Sequence, residues 1–191
     1  PLFATQHHEL IFETIAELAH RNGEVPAMRD SYTSCNVRQE GSGALVGIYE
    51  SEPKFWALDG IPKDFAEELF PPEIDRLMPH LERVLERMPI LAQTGIKTIN
   101  NGPFCFTPDG LPMLGPMPGH AGLWMATGFN VGIGTGGGGA EFLAHWMVHG
   151  RPHFDLPAVH ADRFGNEMTV DQATNAIRSV YARGYRLPDT I

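Results

Sequence analysis

GPFCFTPDGLPMLGPMPGHAGLWMATGFNVGIGTGGGGA, residues 102–140, constrains the fold more than any other part of the chain. It joins a Pro-Asp-Gly turn, an apolar strand and a glycine run that opens a helix. Gly132, Gly134 and Gly137 have the G-x-G-x-x-G spacing of dinucleotide-binding loops. In such folds a second parallel strand follows and ends in an acidic residue about 20 positions on, whereas GRPHFDLP follows here. The spacing therefore does not predict a complete dinucleotide-binding fold.

The glycine run has a simpler chemical meaning. Glycines let a backbone approach a ligand closely, and the first N–H groups of a helix carry partial positive charge without intrahelical partners. We therefore predict that residues 130–134 meet an electron-rich group, such as an anion or the edge of a cofactor. The alternative is that the glycines provide only a flexible loop or a close contact between helix and sheet.

Composition excludes several classes of protein. The 191 residues carry a net charge of −9, and no Lys/Arg cluster is interleaved with aromatic residues, so nucleic acid is not an expected partner. No apolar run is long enough to span a bilayer. Cys35 and Cys105 form no C-x-x-C motif, which favours a reducing compartment.

Apolar patterning predicts a sheet in the first half of the chain. Short apolar or β-branched runs at 9–15, 34–37 and 44–49 are typical of antiparallel strands. Gly41 and Gly43 provide a turn between the last two runs.

Two helices are predicted from periodicity and capping. Apolar residues recur at three- and four-residue steps over 73–88, and Pro79 is expected to kink or restart that helix. Thr169 and Gln172 form a T-x-x-Q capping box for a second helix near the C-terminus. Its apolar stripe comprises Ala173, Ala176, Ile177, Val180 and Tyr181.

Between these helices, the Pro-Asp-Gly sequence at 108–110 predicts a tight turn that joins a strand at 104–106 to one at 111–114 as a hairpin. Pro112 confines the second arm to a sheet edge, because proline has no N–H to donate. A short buried strand is expected at 123–126. The helix after the glycines is expected to present four side chains to a core: Phe142, Leu143, Trp146 and Met147.

Four segments together carry a family resemblance: PLFATQHHELIFETI (1–15), VRQEGSGALVGIYE (37–50), NGPFCFTPDGLPMLGP (101–116) and the segment from GFNVGIG to ADRF (128–164). The sequence resembles the dimethylglycine and sarcosine dehydrogenase branch of the FAD-dependent amine oxidoreductases. The resemblance implies a dehydrogenase or demethylase that oxidises the N-methyl C–N bond of a small amino acid by hydride transfer to FAD.

The family's N-terminal dinucleotide-binding half has no counterpart in this sequence, which begins at Pro1. We therefore expect a C-terminal piece that holds FAD poorly without the missing half; a trimmed chain, a proteolytic product and a split subunit are all open. The expected class is α+β, with a mixed, largely antiparallel sheet, covering helices and a glycine helix that completes an FAD-binding lobe. The expected parts are a substrate-binding part (1–100), the hairpin and glycine helix (101–165) and a docking helix and tail (166–191).

The resemblance also implies site residues. Backbone groups of Asn130, Val131, Gly132, Ile133 and Gly134 would contact the flavin.

His7 corresponds to the histidine of the family's Q-H-x-Y signature, at the substrate end of the flavin, where it would accept the amine's proton or stabilise the neutral amine. Glu9 replaces the tyrosine of that signature and would attract a cationic amine. The alternative is that His7 is a hydrogen-bonded strand residue, with His8 as a competing imidazole.

Arg38 is a candidate for binding a substrate carboxylate, since a guanidinium matches that group. The alternative is a structural ion pair with Glu40. Related oxidases have an active-site tyrosine directly before this arginine, where this chain has Val37. Tyr49 is a second candidate for substrate binding.

His145 and His149 are four residues apart and share one helical face, a spacing that some metal sites use. No third ligand is apparent and the H-E-x-x-H order is absent, so no metal is predicted.

The resemblance further implies a mitochondrial matrix or bacterial cytoplasmic location, an electron-transfer flavoprotein or oxygen as electron acceptor, and tetrahydrofolate in a following domain. A second class stays open from the sequence: a non-catalytic regulatory or interaction homologue that keeps the fold, because Glu9 and Val37 depart from the family pattern.

Overall fold

A computed structural model describes residues 1–165 and 167–184, and within them the chain forms eight strands and five α-helices. The strands are β1 (Phe3–Phe12), β2 (Met28–Asp30), β3 (Cys35–Glu40), β4 (Gly43–Ile48), β5 (Lys54–Trp56), β6 (Ile96–Phe106), β7 (Met113–Pro116) and β8 (Trp124–Thr127). The helices are α1 (Ala16–Ala19), α2 (Ile74–Arg87), α3 (Pro89–Ala92), α4 (Gly132–His149) and α5 (Val170–Arg183), with a 3₁₀ helix at Pro157–Val159.

The chain divides into two compact units. The sheet unit contains Thr5–Trp56, Gly60–Pro103 and the described residues from Tyr181 onward. The glycine-helix unit contains Pro1–Ala4, Ala57–Asp59 and Phe104–Val180. Every helix in the described part of the chain is too short or too polar to cross a bilayer.

The sheet unit is built on a six-stranded sheet in the order β2-β3-β4-β1-β5, with β6 also paired to β1. The β1–β4, β2–β3 and β3–β4 pairs are antiparallel, which confirms the predicted α+β class and the turn at Gly41, whose φ is +58°. Side chains of β1 alternate, so that His8, Leu10 and Phe12 are buried while His7 and Glu9 lie on the other face.

Helix α2 covers this sheet and confirms the helix predicted over 73–88. Its buried side chains Leu77, Leu81 and Val84 join a core that includes Leu10 and Ile48. The restart predicted at Pro79 is wrong, because α2 is one continuous helix. A proline removes only one backbone hydrogen bond, and burial of the apolar face outweighs that loss.

The glycine-helix unit contains the antiparallel pair β7–β8, in which Leu114 lies opposite Ala126. Its core is formed by Leu114, Phe142 and Val159, with Phe129 and Trp146 packed against them.

The hairpin predicted between strands at 104–106 and 111–114 is wrong. The tight turn does form, since the Gly110 N–H donates to the Thr107 carbonyl (3.1 Å) and Gly110 has a φ of +78°. However, β6 pairs with β1, whereas β7 pairs with β8. Pro112, directly before β7, has no N–H with which to begin a ladder to β6.

Two burial predictions for this unit are also wrong. The strand predicted as buried at 123–126 is only half-buried, and Leu123 is 49% exposed, because a two-stranded sheet covered on one face leaves the other face open. Met147 is 52% exposed, since it lies five residues after the buried Phe142 and so points away from the core that Phe142 and Trp146 share.

The capping box predicted for α5 is confirmed. The Thr169 N–H donates to Gln172 Oε1 (2.9 Å), and the Gln172 N–H donates to Thr169 Oγ1 (3.2 Å). Ala173 and Ile177 are fully buried, as the apolar stripe predicts. Of the docking tail predicted for 166–191, residues 166 and 185–191 lie outside the described residues.

A first prediction concerns the α2 interface. Leu81→Ala should lower the free energy of unfolding by about 3 kcal/mol, because it removes a buried side chain and leaves a cavity. Met78→Ala, at a partly exposed position of the same helix, should cost less than about 1 kcal/mol. Urea unfolding of the two variants measures both losses, and equal losses would contradict the packing described.

Candidate active site

A buried carboxylate organises the polar residues of the sheet unit. Glu50 follows β4 and is 2% exposed. The Nδ1 atom of His8 lies 2.7 Å from Glu50 Oε1, and the Tyr181 hydroxyl donates to Glu50 Oε2 over 2.5 Å. Arg76 of α2 adds a guanidinium nitrogen 3.3 Å from Oε1. Three separate parts of the chain therefore meet at one carboxylate.

The second nitrogen of His8 is also engaged. His8 Nε2 lies 3.2 Å from the backbone nitrogen of Glu73, whose N–H donates to it at the start of α2. Because Nε2 accepts this bond, the ring carries its proton on Nδ1 and donates it to Glu50. The antiparallel register places His8 opposite Ile48, two residues before Glu50, which explains why strand alternation brings both side chains to the same buried face.

The ionisation of this network follows from its contacts. Burial of Glu50 opposes its ionisation, but hydrogen bonds from His8 and Tyr181 and the charge of Arg76 outweigh burial and lower the pKa of Glu50 below its usual value. Burial and the adjacent Glu50 carboxylate raise the pKa of Tyr181 well above its usual value. Glu50 is therefore an anion at neutral pH, and Tyr181 is a hydrogen-bond donor to it.

His7 lies beside two tyrosines. Its ring centroid is 4.9 Å from that of Tyr49 and 6.5 Å from that of Tyr181. Burial, reinforced by His8 and Arg76 against the opposing effect of Glu50, lowers the pKa of His7 to about 4. The structure thus brings together two of the residues singled out from the sequence, His7 and Tyr49, and makes the His7 imidazole neutral at physiological pH.

The other two residues predicted around the substrate differ in their placement. Glu9 is half-buried and lies on the same face of β1 as His7, opposite Gly47. Arg38 is half-exposed and forms an ion pair with Glu40, which is the alternative that the sequence left open.

The register also separates Arg38 from the His7–Tyr49 cluster. Arg38 lies opposite Leu45, which lies opposite Ile11 of β1. Ile11 is four residues beyond His7, roughly 13 Å along a strand. The substrate-binding role of Arg38 therefore stays a prediction, and the structure does not bring it to this cluster.

In the glycine-helix unit, the start of α4 leaves backbone donors available. The first intrahelical bond runs from the Thr135 N–H to the Val131 carbonyl (3.0 Å), so the N–H groups of Gly132, Ile133 and Gly134 have no acceptor within the helix. Ile133 is fully exposed.

Four glycines in the first two turns of α4 have open space at their α-carbons. A Cβ placed on Gly132, Gly136, Gly137 or Gly138 would meet no atom of another segment within 4 Å. The residues present therefore fit a flat, electron-rich group such as the flavin of FAD, because donors and open backbone occur together. Asn130 has a structural role beside them: with its amide oriented to satisfy its neighbours, Nδ2 donates to the carbonyls of Cys105 (3.1 Å) and Gly128 (3.2 Å).

The histidines at the end of α4 are closer together than the sequence indicated. The rings of His145 and His149 are 4.3 Å apart, and the ring of His153 is 4.8 Å from that of His145. Across residues 1–165 and 167–184, no three histidine, cysteine or acidic side chains are arranged to hold a metal ion. The absence of a metal stays a prediction.

Sequence reasoning missed Glu50, His8 and Tyr181 as a unit. From the sequence, His8 is only a competitor of His7, and Tyr181 is only part of an apolar stripe. One available signal was the strand alternation of β1, which places His8 rather than His7 on the buried face.

Comparison with known proteins identifies the class. Residues 1–146 match the family profile described as FAD dependent oxidoreductase. The chain therefore belongs to the FAD dependent oxidoreductase family, which confirms the family that the sequence resembles.

Two kinds of curated protein in particular are similar to this chain. The chain is 39% identical over 186 residues to the mitochondrial dimethylglycine dehydrogenase of Mus musculus, which covers 95% of this chain and 21% of that protein. It is 37% identical over 170 residues to the mitochondrial sarcosine dehydrogenase of Mus musculus, covering 88% of this chain and 18% of that protein. The chain thus spans about a fifth of the length of the curated relatives it matches.

Among solved structures, L-proline dehydrogenase from P. horikoshii superposes with a TM-score of 0.65 at 19% identity, covering 86% of this chain and 40% of that chain. Glycine oxidase from Geobacillus kaustophilus superposes with a TM-score of 0.57 at 20% identity, covering 85% of this chain and 39% of that chain. At these identities the superpositions establish the fold, and they confirm the predicted fold class.

A second prediction tests the carboxylate network. Glu50→Ala should lower the free energy of unfolding by about 3–5 kcal/mol, because the buried donors of His8 and Tyr181 lose their acceptor. Tyr181→Phe should cost about 1.5–3 kcal/mol, since it removes one bond to a charged group. Chemical unfolding measures both; Glu82→Ala on the exposed face of α2 is the control and should be nearly neutral. A neutral Glu50→Ala would contradict the network.

A third prediction follows from His7. Its pKa is about 4 in the folded state and 6.5 as the ordinary value, so between these two pH values the unfolded chain binds the proton and the folded chain does not. Stability should therefore fall as the pH drops from 6.5 toward 4, by roughly 2–3 kcal/mol from this residue. Unfolding curves at several pH values, compared between the wild type and His7→Gln, isolate the contribution of His7 from those of the carboxylates. Parallel pH profiles for the two proteins would contradict a His7 that stays neutral in the folded protein.

Proposed function

We propose that this chain forms the substrate-side sheet and the flavin-contacting glycine helix of an FAD-dependent dehydrogenase, or demethylase, acting on the N-methyl C–N bond of a small amino acid such as dimethylglycine or sarcosine. The observation that carries the proposal is the pair of features at the start of α4, where N–H donors without an acceptor in the helix stand beside glycines with open space at their α-carbons. Similarity to dimethylglycine and sarcosine dehydrogenases over most of the chain supports the substrate class.

FAD, when bound, would supply the acceptor for the hydride that leaves the N-methyl carbon. The N–H groups of Gly132, Ile133 and Gly134 would donate to the negative charge that develops at the pyrimidine edge of the ring system. Because these donors are already held by the helix, they need no reorganisation when the charge appears.

His7 would act on the amine as a neutral group. With a pKa of about 4, its imidazole is a poor store for a proton at neutral pH, so of the two roles implied by the sequence the structure supports the second. A neutral imidazole would accept a hydrogen bond from the N–H of a neutral secondary amine such as sarcosine and leave the nitrogen lone pair free. Neutral dimethylglycine has no N–H, so the imidazole would orient it by contact alone. Tyr49 packs on the ring of His7 and limits its rotation.

The Glu50 network would hold His7 in place. His8 is the next residue of β1, and its two hydrogen bonds, to Glu50 and Glu73, fix the backbone that carries His7. Glu9 would attract the cationic form of the substrate toward the same face of β1. Tyr49 and Arg38 as substrate-binding residues belong to this proposal as well.

The proposed partners are an N-terminal FAD-binding half, an electron-transfer flavoprotein as electron acceptor and tetrahydrofolate in a following domain. The proposed location is the mitochondrial matrix, as the names of the mitochondrial relatives suggest, or a bacterial cytoplasm.

A fourth prediction tests the activity. The assay uses the intact polypeptide, that is, this chain together with its proposed N-terminal FAD-binding half. With FAD bound, it should lose its visible flavin absorbance when dimethylglycine or sarcosine is added without oxygen, because the reduced flavin ring absorbs less. His7→Asn should slow this bleaching by about 100-fold, which is the order of magnitude expected when the amine loses the group that orients it. His20→Asn, at an exposed position, is the matched control and should bleach like the wild type.

The outcome also decides between the two classes of function. Bleaching by an N-methylated amino acid supports the dehydrogenase. A protein that binds FAD and yet shows no bleaching with any N-methylated amine would support the non-catalytic homologue instead.

A further inference from the structure

Arg163 makes an unusually complete set of contacts in the glycine-helix unit. Its Nε and Nη2 atoms donate to Asp109 Oδ2 (2.8 Å) and Oδ1 (2.9 Å), which is a two-bond fork on one carboxylate. Nη2 also donates to the Leu111 carbonyl (2.8 Å), and Nη1 to the His160 carbonyl (3.0 Å). The guanidinium lies 4.2 Å from the centre of the Phe164 ring. Such a fork fixes both position and orientation of the carboxylate.

Asp109 also stabilises the tight turn in which it lies. Its Oδ1 atom accepts from the Leu111 N–H (3.0 Å). The Thr107 hydroxyl lies 3.1 Å from the same oxygen and 2.7 Å from the Leu111 carbonyl, to which it donates. Burial of Asp109 opposes its ionisation, but the hydrogen bonds to Arg163 and Leu111 lower its pKa below the usual value. Asp109 therefore stabilises the turn from Thr107 to Leu111 by hydrogen bonds within the turn, and Arg163 stabilises it by hydrogen bonds from a distant segment.

This turn packs against the loop that leads into α4. Gly128 has a φ of +76°, and a Cβ added to it would lie 2.8 Å from the Thr107 methyl carbon, so Thr107 rests directly on the Gly128 backbone. A Cβ added to Gly110 would lie 3.7 Å from the side-chain amide of Asn130. Asn130 itself bonds the Cys105 and Gly128 carbonyls. Gly128 and Asn130 thus lie against the turn, immediately before the N–H groups of α4 that have no acceptor within the helix.

We propose that Arg163 is a positioning residue for the flavin: through Asp109 and the turn 107–111, it holds the loop 128–130 so that the N–H groups of residues 132–134 keep one fixed direction. The inference rests on the proposed function, because it names the support of the same flavin-contacting helix. Neither the glycine spacing nor the turn sequence pointed to Arg163, which lies 54 positions after Asp109.

The segment that carries Arg163 is itself anchored. The Ala161 N–H donates to the Leu114 carbonyl (3.0 Å), and Leu114 and His160 form a parallel bridge. Arg163 therefore projects from a backbone tied to β7, and its side chain is only 10% exposed. Because both the Arg163 side chain and the backbone that carries it are held by hydrogen bonds, Arg163 suits a positioning role better than an arginine in a solvent-exposed ion pair would.

The test compares three variants with a control in the same unit. Arg163→Gln removes the charge and the fork, Arg163→Lys keeps the charge without the fork, and Asp109→Asn keeps an oxygen for the Leu111 N–H while losing the charge. Val159→Ala is the control, because it weakens the core of this unit without touching Asp109. Urea unfolding first establishes the loss of stability in each protein.

Two measurements then follow on the intact polypeptide. In the FAD-free protein, hydrogen exchange at the Thr135 N–H, which bonds Val131, should be about tenfold faster in Arg163→Gln than in the wild type. The FAD dissociation constant should rise about tenfold or more in Arg163→Gln and by an intermediate factor in Arg163→Lys, and the flavin reduction potential should become more negative in both. Val159→Ala should change neither quantity at a comparable loss of stability.

The inference is overturned if folded Arg163→Gln keeps the wild-type exchange rate and FAD dissociation constant, or if Val159→Ala reproduces its effects. If Arg163→Gln does not fold, Asp109→Asn decides by the same two criteria. Failure of the proposed function can be told apart from failure of this inference. A wild type that binds no FAD refutes the flavin role. The exchange rates in FAD-free protein still report whether Arg163 holds the start of α4.

Discussion

The sheet unit depends on the buried carboxylate of Glu50 and on the donors that surround it. A buried carboxylate without partners costs several kcal/mol, so its position is tenable only where donors converge. Here His8 of β1, Arg76 of α2 and Tyr181 of α5 all reach it. Because these three residues come from distant parts of the chain, satisfying one charge constrains the strand register, the placement of α2 and the docking of the last turn of α5.

The two units use polar groups in opposite ways. Around Glu50, hydrogen bonds serve to hold β1 and its neighbour His7, and the pKa of His7 is lowered to about 4 as a result of burial among these groups. At the start of α4, by contrast, N–H groups remain available and the adjacent glycines keep the backbone accessible. In the proposed enzyme the first arrangement would position a substrate and the second would meet the cofactor. The fork between Arg163 and Asp109 adds rigidity where the open helix start lacks its own cap.

Local features of the sequence predicted local structure well. The periodicity over 73–88 gave α2, and Thr169 and Gln172 formed the expected reciprocal cap, because both signals depend on residues within one or two helical turns. The same reasoning failed for the hairpin predicted between 104–106 and 111–114: the Pro-Asp-Gly turn formed, yet its arms joined different sheets. A turn motif specifies the backbone of four residues and says nothing about which strands will pair beyond them.

By itself the sequence determined the family, the class of fold and the glycine helix, since these rest on contiguous motifs and on periods of two and 3.6 residues. Only the tertiary structure decided that His8 rather than His7 binds the carboxylate, that Arg38 pairs with Glu40 away from His7, and that Arg163 clamps Asp109. These pairings join residues up to 54 positions apart. Their partners are selected by strand register and by the cost of leaving a buried charge or donor unpaired, and both quantities exist only once the chain has folded.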